Sequence, residues 1–148
     1  MFRGATALSL DAKGRLAVPA RHRDALHLQG GGRLVLTAHP HRCLLLYPQP
    51  EWEPIQQKIM SLPSFDKQAS LLQRLLVGFA EDVEMDGAGR VLISPVLRAF
   101  AGLEKQVMLV GQGSHFEVWS EANWHAQLEE ALAQGDRVLP PDLGNFSL

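Results

Sequence analysis

Cysteine is almost missing from this chain of 148 residues: Cys43 stands alone, so no internal disulfide can form, a pattern that suits a reducing cytosol. Long apolar runs are missing too. None approaches the roughly 18 to 20 residues of a membrane-spanning helix, although 46% of the residues are hydrophobic. The opening stretch MFRGATALSL has neither the apolar segment nor the cleavage site of a secretory signal, so a soluble cytoplasmic protein without a membrane role is expected. Catalytic and cofactor signatures are equally scarce. LQGGGRL lacks the lysine and following serine or threonine of a phosphate-binding loop, and VGQGS lacks the setting of a dinucleotide loop, so both are turns. Cys43 lies in the apolar stretch CLLLY with no base or oxyanion donor beside it, which argues against a nucleophile. His39, His41 and Cys43 alternate as metal ligands on a strand could, but no second cluster offers a convincing fourth ligand. No metal, cofactor, catalytic residue or small-molecule substrate is expected.

Positive charge is in short supply overall, with a formal net charge of −2, but it is unevenly distributed. Residues 1–48 carry seven basic groups against two acidic ones, whereas residues 49–148 carry seven against fourteen, with Glu81, Asp82, Glu84 and Asp86 close together. A polyanion should therefore meet the first part of the chain.

What the sequence does have is a repeat. LDAKGRLAVPAR at residues 10–21 returns as MDGAGRVLISPV at residues 85–96, pairing Asp11 with Asp86, Gly14 with Gly89, Arg15 with Arg90 and Arg23 with Arg98. Further on, Val35 corresponds to Val107, Leu44 to Phe116, Tyr47 to Trp119 and Trp52 to Trp124. Such ordered matching marks an internal duplication. Each copy is expected to run strand, tight turn, strand, short helix, strand, strand, helix. In the first copy the strands fall near residues 5–10, 15–18, 33–37 and 43–47, with a helical turn from Pro19 to about Leu28. A helix from about Pro50 places Trp52, Ile55, Ile59 and Leu62 at helical spacing, and in the second copy Ser120 caps a helix bearing Trp124, Leu128 and Leu132 that Gly135 ends. Between the copies, Ala69, Leu72, Leu76 and Phe79 share one face of a packing helix capped by Ser64 or Asp66. The expected division is 1–62 for the first repeat and its helix, 63–80 for the connecting helix, 81–135 for the second repeat and its helix, and 136–148 for an irregular tail.

The DxxxR spacing suits a hairpin whose tip ends in a left-handed glycine, Gly14 or Gly89, with Asp11 facing Arg15 and Asp86 facing Arg90 at the mouth. Leu8, Leu10, Leu16 and Val18 then share the core face and Arg15 the other. A cross-strand ion pair is one task for such residues. Presenting a planar arginine fork to phosphate or to a guanine edge is the other. Lys13 at the first tip favours nucleic-acid contact there, joined by Arg3, Arg15 and Arg21. The acidic approach to Gly87 and Ala88 favours structural or subunit-contact work for Asp86 and Arg90, and Asp11, Gly14, Asp86, Gly89 and Arg90 are expected to close and support the two hairpins. Arg23 and Arg98 are expected to share a structural task, and Trp52 and Trp124 to pack in the core.

These residues carry a resemblance. FRGATALSLDAKGRLAVPARHRDAL, LVLTAHPHRCLLLYPQPEW and VEMDGAGRVLISPVLRAFAGLEKQVMLVGQGSHFEVW, with the spacing of the two DxxxR motifs, resemble the MraZ family of bacterial transcriptional regulators, built from two SpoVT-AbrB-like units. The likeness implies an α+β, mainly β, swapped-hairpin double-repeat barrel with flanking helices. It implies ring-like homo-oligomers, octamers or similar, that bind repeated boxes in double-stranded promoter DNA at the nucleoid. It further implies control, as a repressor, of the division and cell-wall gene cluster including the family member's own promoter. The family's N-terminal DxxxR motif, here Asp11 to Arg15, is the one tied to DNA. The histidine-rich HPHR loop departs from the family pattern. An antitoxin-like or protein-interaction module of the same structural class is the alternative.

Overall fold

The computed structural model describes residues 1–135 and 139–143. Short Leu- and Val-rich runs, alternating at the edges and continuously buried in the middle, yield eight strands, and the longer runs with helical spacing yield five helices among the described residues. In chain order these are β1 (Ala5–Ser9), β2 (Arg15–Ala17), α1 (Ala20–Gly30), β3 (Arg33–Ala38), β4 (Leu44–Pro48), α2 (Gln49–Met60), α3 (Lys67–Leu76), β5 (Glu81–Glu84), β6 (Arg90–Leu92), α4 (Pro95–Ala101), β7 (Gln106–Gly111), β8 (Phe116–Ser120) and α5 (Glu121–Gln134). Within the expected irregular tail, Leu139 and Pro140 belong to no helix or strand, Pro141–Leu143 forms a single 3-10 turn, and residues 136–138 and 144–148 lie outside the described residues.

The fold is α+β, with a six-stranded antiparallel sheet in the order β1-β7-β8-β4-β3-β5 and a separate two-stranded ribbon, β2-β6. Two sequence-based expectations need correction here. β1 and β2 are joined by a closed turn, in which Asp11 N donates to Arg15 O at 3.0 Å, but they do not continue as a paired hairpin. Instead β1 pairs with β7, β5 pairs with β3, and β2 pairs with β6, so every one of these ladders joins the first half to the second. The ladder also does not close into a barrel. β2 and β6 satisfy each other's backbone groups, so among the described residues no strand links β1 to β5.

Equivalent residues meet across the middle of both sheets. Leu16 lies opposite Val91 in the ribbon and Leu45 lies opposite Glu117 in the large sheet, which defines an internal two-fold relation. The ribbon covers the inner sheet face, where Leu16, Val18, Val91 and Ile93 pack with Leu36, Leu46, Leu109 and Phe116 in one buried cluster closed by Leu26 of α1 and Leu97 of α4. Fully burying each such side chain contributes about 1.5 to 3 kcal/mol before conformational entropy is set against it.

The outer sheet face carries the remaining helices. α2 places Trp52 and Ile59 on Val35, Leu45 and Tyr47, and α3 adds Leu76 at its end. Asp66 is the α3 cap, its carboxylate accepting from Gln68 N at 2.9 Å. Gln73 holds the two helices together by donating to Ile59 O and Leu62 O, both at 3.1 Å, while the buried Thr37 hydroxyl donates to Leu76 O at 2.6 Å. α3 stops at Leu76, so Phe79 leaves the expected helical face and packs at a tilt against Phe100 instead. The larger departure is α5. Ser120 caps it, its hydroxyl accepting from Asn123 N at 3.1 Å, yet the helix buries no residue fully. Partly buried Trp124 packs against Trp119, and Leu128 and Leu132 stay exposed because among the described residues no second helix lies over α5 as α3 lies against α2.

His22 on α1 is buried edge-on against the rings of Phe2 and Phe116, with centroids at 5.7 and 5.0 Å. Burial, then the charge of Arg21, holds its imidazole below the ordinary histidine value, and burial does the same for His39 and His115. The unfolded chain therefore takes up protons first as pH falls, so stability is complete above about 6.5 and declines on acidification. The thermal midpoint should fall between pH 7 and pH 5, and fall less in a His22→Phe variant. Equal pH slopes for the two proteins would remove His22 from this account.

Candidate nucleic-acid interface

Each DxxxR turn is built by its aspartate. In the first, Asp11 Oδ1 accepts from the backbone N of Lys13 at 3.0 Å and of Arg15 at 2.9 Å, while Oδ2 accepts from Arg15 Nε at 2.6 Å. The second repeats this: Asp86 Oδ1 accepts from Ala88 N at 2.9 Å and Arg90 N at 2.8 Å, and Oδ2 from Arg90 Nε at 3.0 Å. The backbone N–H of the arginine is the largest cause holding each carboxyl below its ordinary value. Engagement through Nε leaves the Nη groups of Arg15 and Arg90 without a hydrogen-bond partner among the described residues. Each guanidinium is thus a pre-oriented fork with its outer edge free.

The glycines close the turns and admit a brace from the opposite half. Gly14 has φ 83° and Gly89 φ 76°. Arg98 packs across Gly14 while donating from Nε to Ile93 O at 3.0 Å; Arg23 packs across Gly89 while donating to Val18 O at 2.8 Å. The equivalence of Arg23 and Arg98 in sequence corresponds to this shared bracing task. Backbone bonds complete the exchange, from Val18 N to Gly89 O at 2.8 Å and from Ile93 N to Gly14 O at 3.0 Å.

The remaining basic residues are spread out. Arg21 is exposed beside the middle of β1, its Nη2 donating to Thr6 Oγ1 at 2.7 Å. Arg3 precedes β1, with Phe2 bridged to Gly113, so it sits at the end of the strand away from Lys13. The structure thus separates Arg3 from the Lys13–Arg15 turn by the length of β1.

Arg90 is the residue whose neighbourhood sequence reasoning missed. In the ribbon Arg15 lies opposite Leu92 and Ala17 opposite Arg90, with Leu16 and Val91 turned to the core. Arg15 and Arg90 are therefore diagonal neighbours on the same solvent face, about 7 to 8 Å apart by strand geometry. The acidic residues near Arg90 in sequence are not all near it in space. Asp82 and Glu84 lie opposite Val35 and Arg33 on the outer face of the sheet, whereas Glu81, on the inner face, accepts a hydrogen bond from Ser94 Oγ at 2.7 Å. Period-two alternation, applied to EDVE, was the available signal.

The other candidates are elsewhere. Cys43 is buried on the outer sheet face, its thiol pushed up to about 12 by burial first and by Glu117 second. His39 and His41 contact each other edge to face at 4.7 Å, and among the described residues no group of three or more His, Cys, Asp or Glu is placed to hold a metal ion. No helix among those residues is long and apolar enough to cross a membrane.

The fold and the two turns define a doubled α+β chain that carries a DxxxR turn at each end of one ribbon. The family described as "MraZ protein, putative antitoxin-like" matches residues 1–75 and again residues 76–137. The chain is 73% identical to the transcriptional regulator MraZ of Methylobacillus flagellatus, 60% to that of an Azoarcus species and 59% to that of Aromatoleum aromaticum, each over 148 residues and the whole of both chains. The protein belongs to the MraZ family.

Proposed function

We propose that this protein is a DNA-binding transcription regulator that lays the outer face of the β2-β6 ribbon against duplex DNA. The observation that carries the reading is the pair of guanidinium forks on that face, each held through Nε by its own aspartate and free at its outer edge. A two-stranded ribbon fits the major groove, where an arginine fork can take the O6 and N7 acceptors of guanine. Lys13 at the exposed tip contacts phosphate, and Arg21 and Arg3 extend the basic track along β1. Arg90 joins Arg15 in this contact, while Asp11, Asp86, Gly14 and Gly89 hold the two turns.

Family membership supports the rest of the reading. The exchange of β1 and β5 between halves suits the swapped-hairpin, AbrB-like class, with repeats at 1–62 and 81–135 joined by the packing helix. The protein acts in the cytoplasm at the nucleoid, as a ring-like homo-oligomer on repeated boxes, repressing the division and cell-wall gene cluster and its own promoter. It has no enzymatic role. Several modules meeting several boxes raise affinity through effective concentration rather than through one large interface.

Footprinting on the DNA upstream of its own gene tests this directly. Spaced protected segments are expected with the wild type. No protection at moderate salt would reject the reading. The family's antitoxin-like description favours a second possibility, a module that neutralises a toxin. A nuclease-toxin gene beside this one would favour that role, and a cell-wall methyltransferase gene directly downstream would favour the first.

A further inference from the structure

The two strands of the ribbon turn Leu16 and Val91 inward and leave Arg15, Ala17, Arg90 and Leu92 on the outer side, Arg15 directly opposite Leu92 and Ala17 directly opposite Arg90. Ile93 N donates to Gly14 O and Val18 N to Gly89 O, each bond one residue outside one of these pairs. Both pairs are therefore of the non-hydrogen-bonded kind, in which side chains stand closest, with Cβ atoms about 4.5 to 5.5 Å apart. Two of the four residues are apolar, and they differ. Leu92 is 53% exposed and joins none of the three apolar clusters. Its counterpart in the first repeat is the much smaller Ala17. An exposed leucine alone is ordinary. This one stands against a guanidinium fork whose outer edge is free.

We infer that Leu92 is a specificity-determining residue, which packs on the C5 methyl group of a thymine next to the guanine taken by Arg15. With the fork on the O6 and N7 atoms of a guanine, the neighbouring base pair lies about 3.4 Å further along the duplex, within reach of a leucine on the adjacent strand. In the major groove thymine alone offers a methyl group. The polar edges of the other bases would lose water to Leu92 and gain no hydrogen bond in return. Leu92 thus favours thymine by contact and disfavours the alternatives by desolvation. At the other fork, Ala17 ends at its Cβ, so Arg90 has a smaller apolar neighbour and a weaker preference beside it. Arg15 supplies the guanine contact in this arrangement, and Leu92 extends the reading to the next base pair.

This inference rests on the ribbon being the DNA-contacting face, and deletion of a methyl group separates its failure from the failure of that reading. The DNA upstream of the gene would be prepared once with thymine and once with uracil throughout, which removes every C5 methyl and keeps the hydrogen-bonding groups. Both duplexes would be titrated by gel shift at one moderate salt with the wild type and with Leu92→Ala. The wild type should bind the uracil duplex at least about fourfold more weakly, the value of burying one methyl group. Leu92→Ala should bind both duplexes alike, close to the wild type on uracil. Any effect of uracil on the shape of the duplex acts on both proteins equally and cancels in the comparison. Restoring single thymines should recover the wild-type difference only beside guanines. Equal binding of both duplexes by the wild type, an unchanged ratio in Leu92→Ala, or recovery at thymines away from guanine would overturn the inference and leave DNA binding standing. Complete loss of binding by Leu92→Ala would also overturn it, because one methyl contact cannot hold the whole complex. A wild type that fails to bind the thymine duplex would overturn the proposed function and this inference together.

Discussion

Replacing Arg15 with alanine is expected to abolish protection of the promoter boxes while the chain remains folded and assembled. A fork on a guanine edge discriminates by about 1 to 3 kcal/mol, or roughly 5- to 150-fold for one contact. Modules bound side by side multiply that loss, so a wild-type footprint should vanish at moderate salt. The fold loses little, because Asp11 keeps its bonds from the backbone of residues 13 and 15, and the ion pair it gives up lies at the surface. Arg15→Lys separates the two components of binding. It keeps a charge and so most of the salt dependence, but not the fork, so preference for the boxes over unrelated duplex should fall. Arg90→Ala should weaken binding by one contact of the same kind, in contrast to a purely structural Arg90. An Arg15→Ala protein that protects the boxes like the wild type would remove the ribbon face from the mechanism.

A large loss of stability is expected from Gly89→Ala. At φ 76° an alanine costs about 1 to 2 kcal/mol from its own backbone. Its Cβ would also occupy the place of the guanidinium of Arg23, a residue of the first half that donates to Val18 O while packing across Gly89. Losing that charge-assisted bond adds about 1.5 to 3 kcal/mol. The sum, about 2.5 to 5 kcal/mol, is a large share of the stability of an ordinary domain. Gly14→Ala should behave alike through Arg98. Gly87→Ala is the control: nothing lies within 4 Å of its added carbon and its backbone is not left-handed, so a change within about 0.5 kcal/mol is expected. Urea unfolding measures all three. Equal midpoints for the Gly89 and Gly87 variants would contradict the bracing role of Arg23.

Much of this architecture is legible in the chain because a duplication announces itself twice. Asp, Gly and Arg recur at one spacing, and the alternation around Leu16 and Val91 tells which side chains enter the core. The same alternation is silent about which strand lies alongside. A tight turn between β1 and β2 looks like a hairpin whether its strands pair with each other or with the other half, and only long-range backbone bonds decide it. The placement of Arg90 was hidden for a related reason. Charge counted along the chain groups it with Asp82 and Glu84, whereas the pleat sends those carboxylates to the outer face. Apolar spacing marked Leu128 and Leu132 as a helix face but could not say what, if anything, covers it.

The internal two-fold has a consequence for how a binding site is read. A reader made of two identical halves sees a duplex the same way from either direction and calls for a palindrome. Here both halves belong to one chain, and the turns differ at their tips, Lys13 on one and Ala88 on the other. The ribbon therefore has a front and a back, and under the proposed reading a copy on DNA would point one way along it.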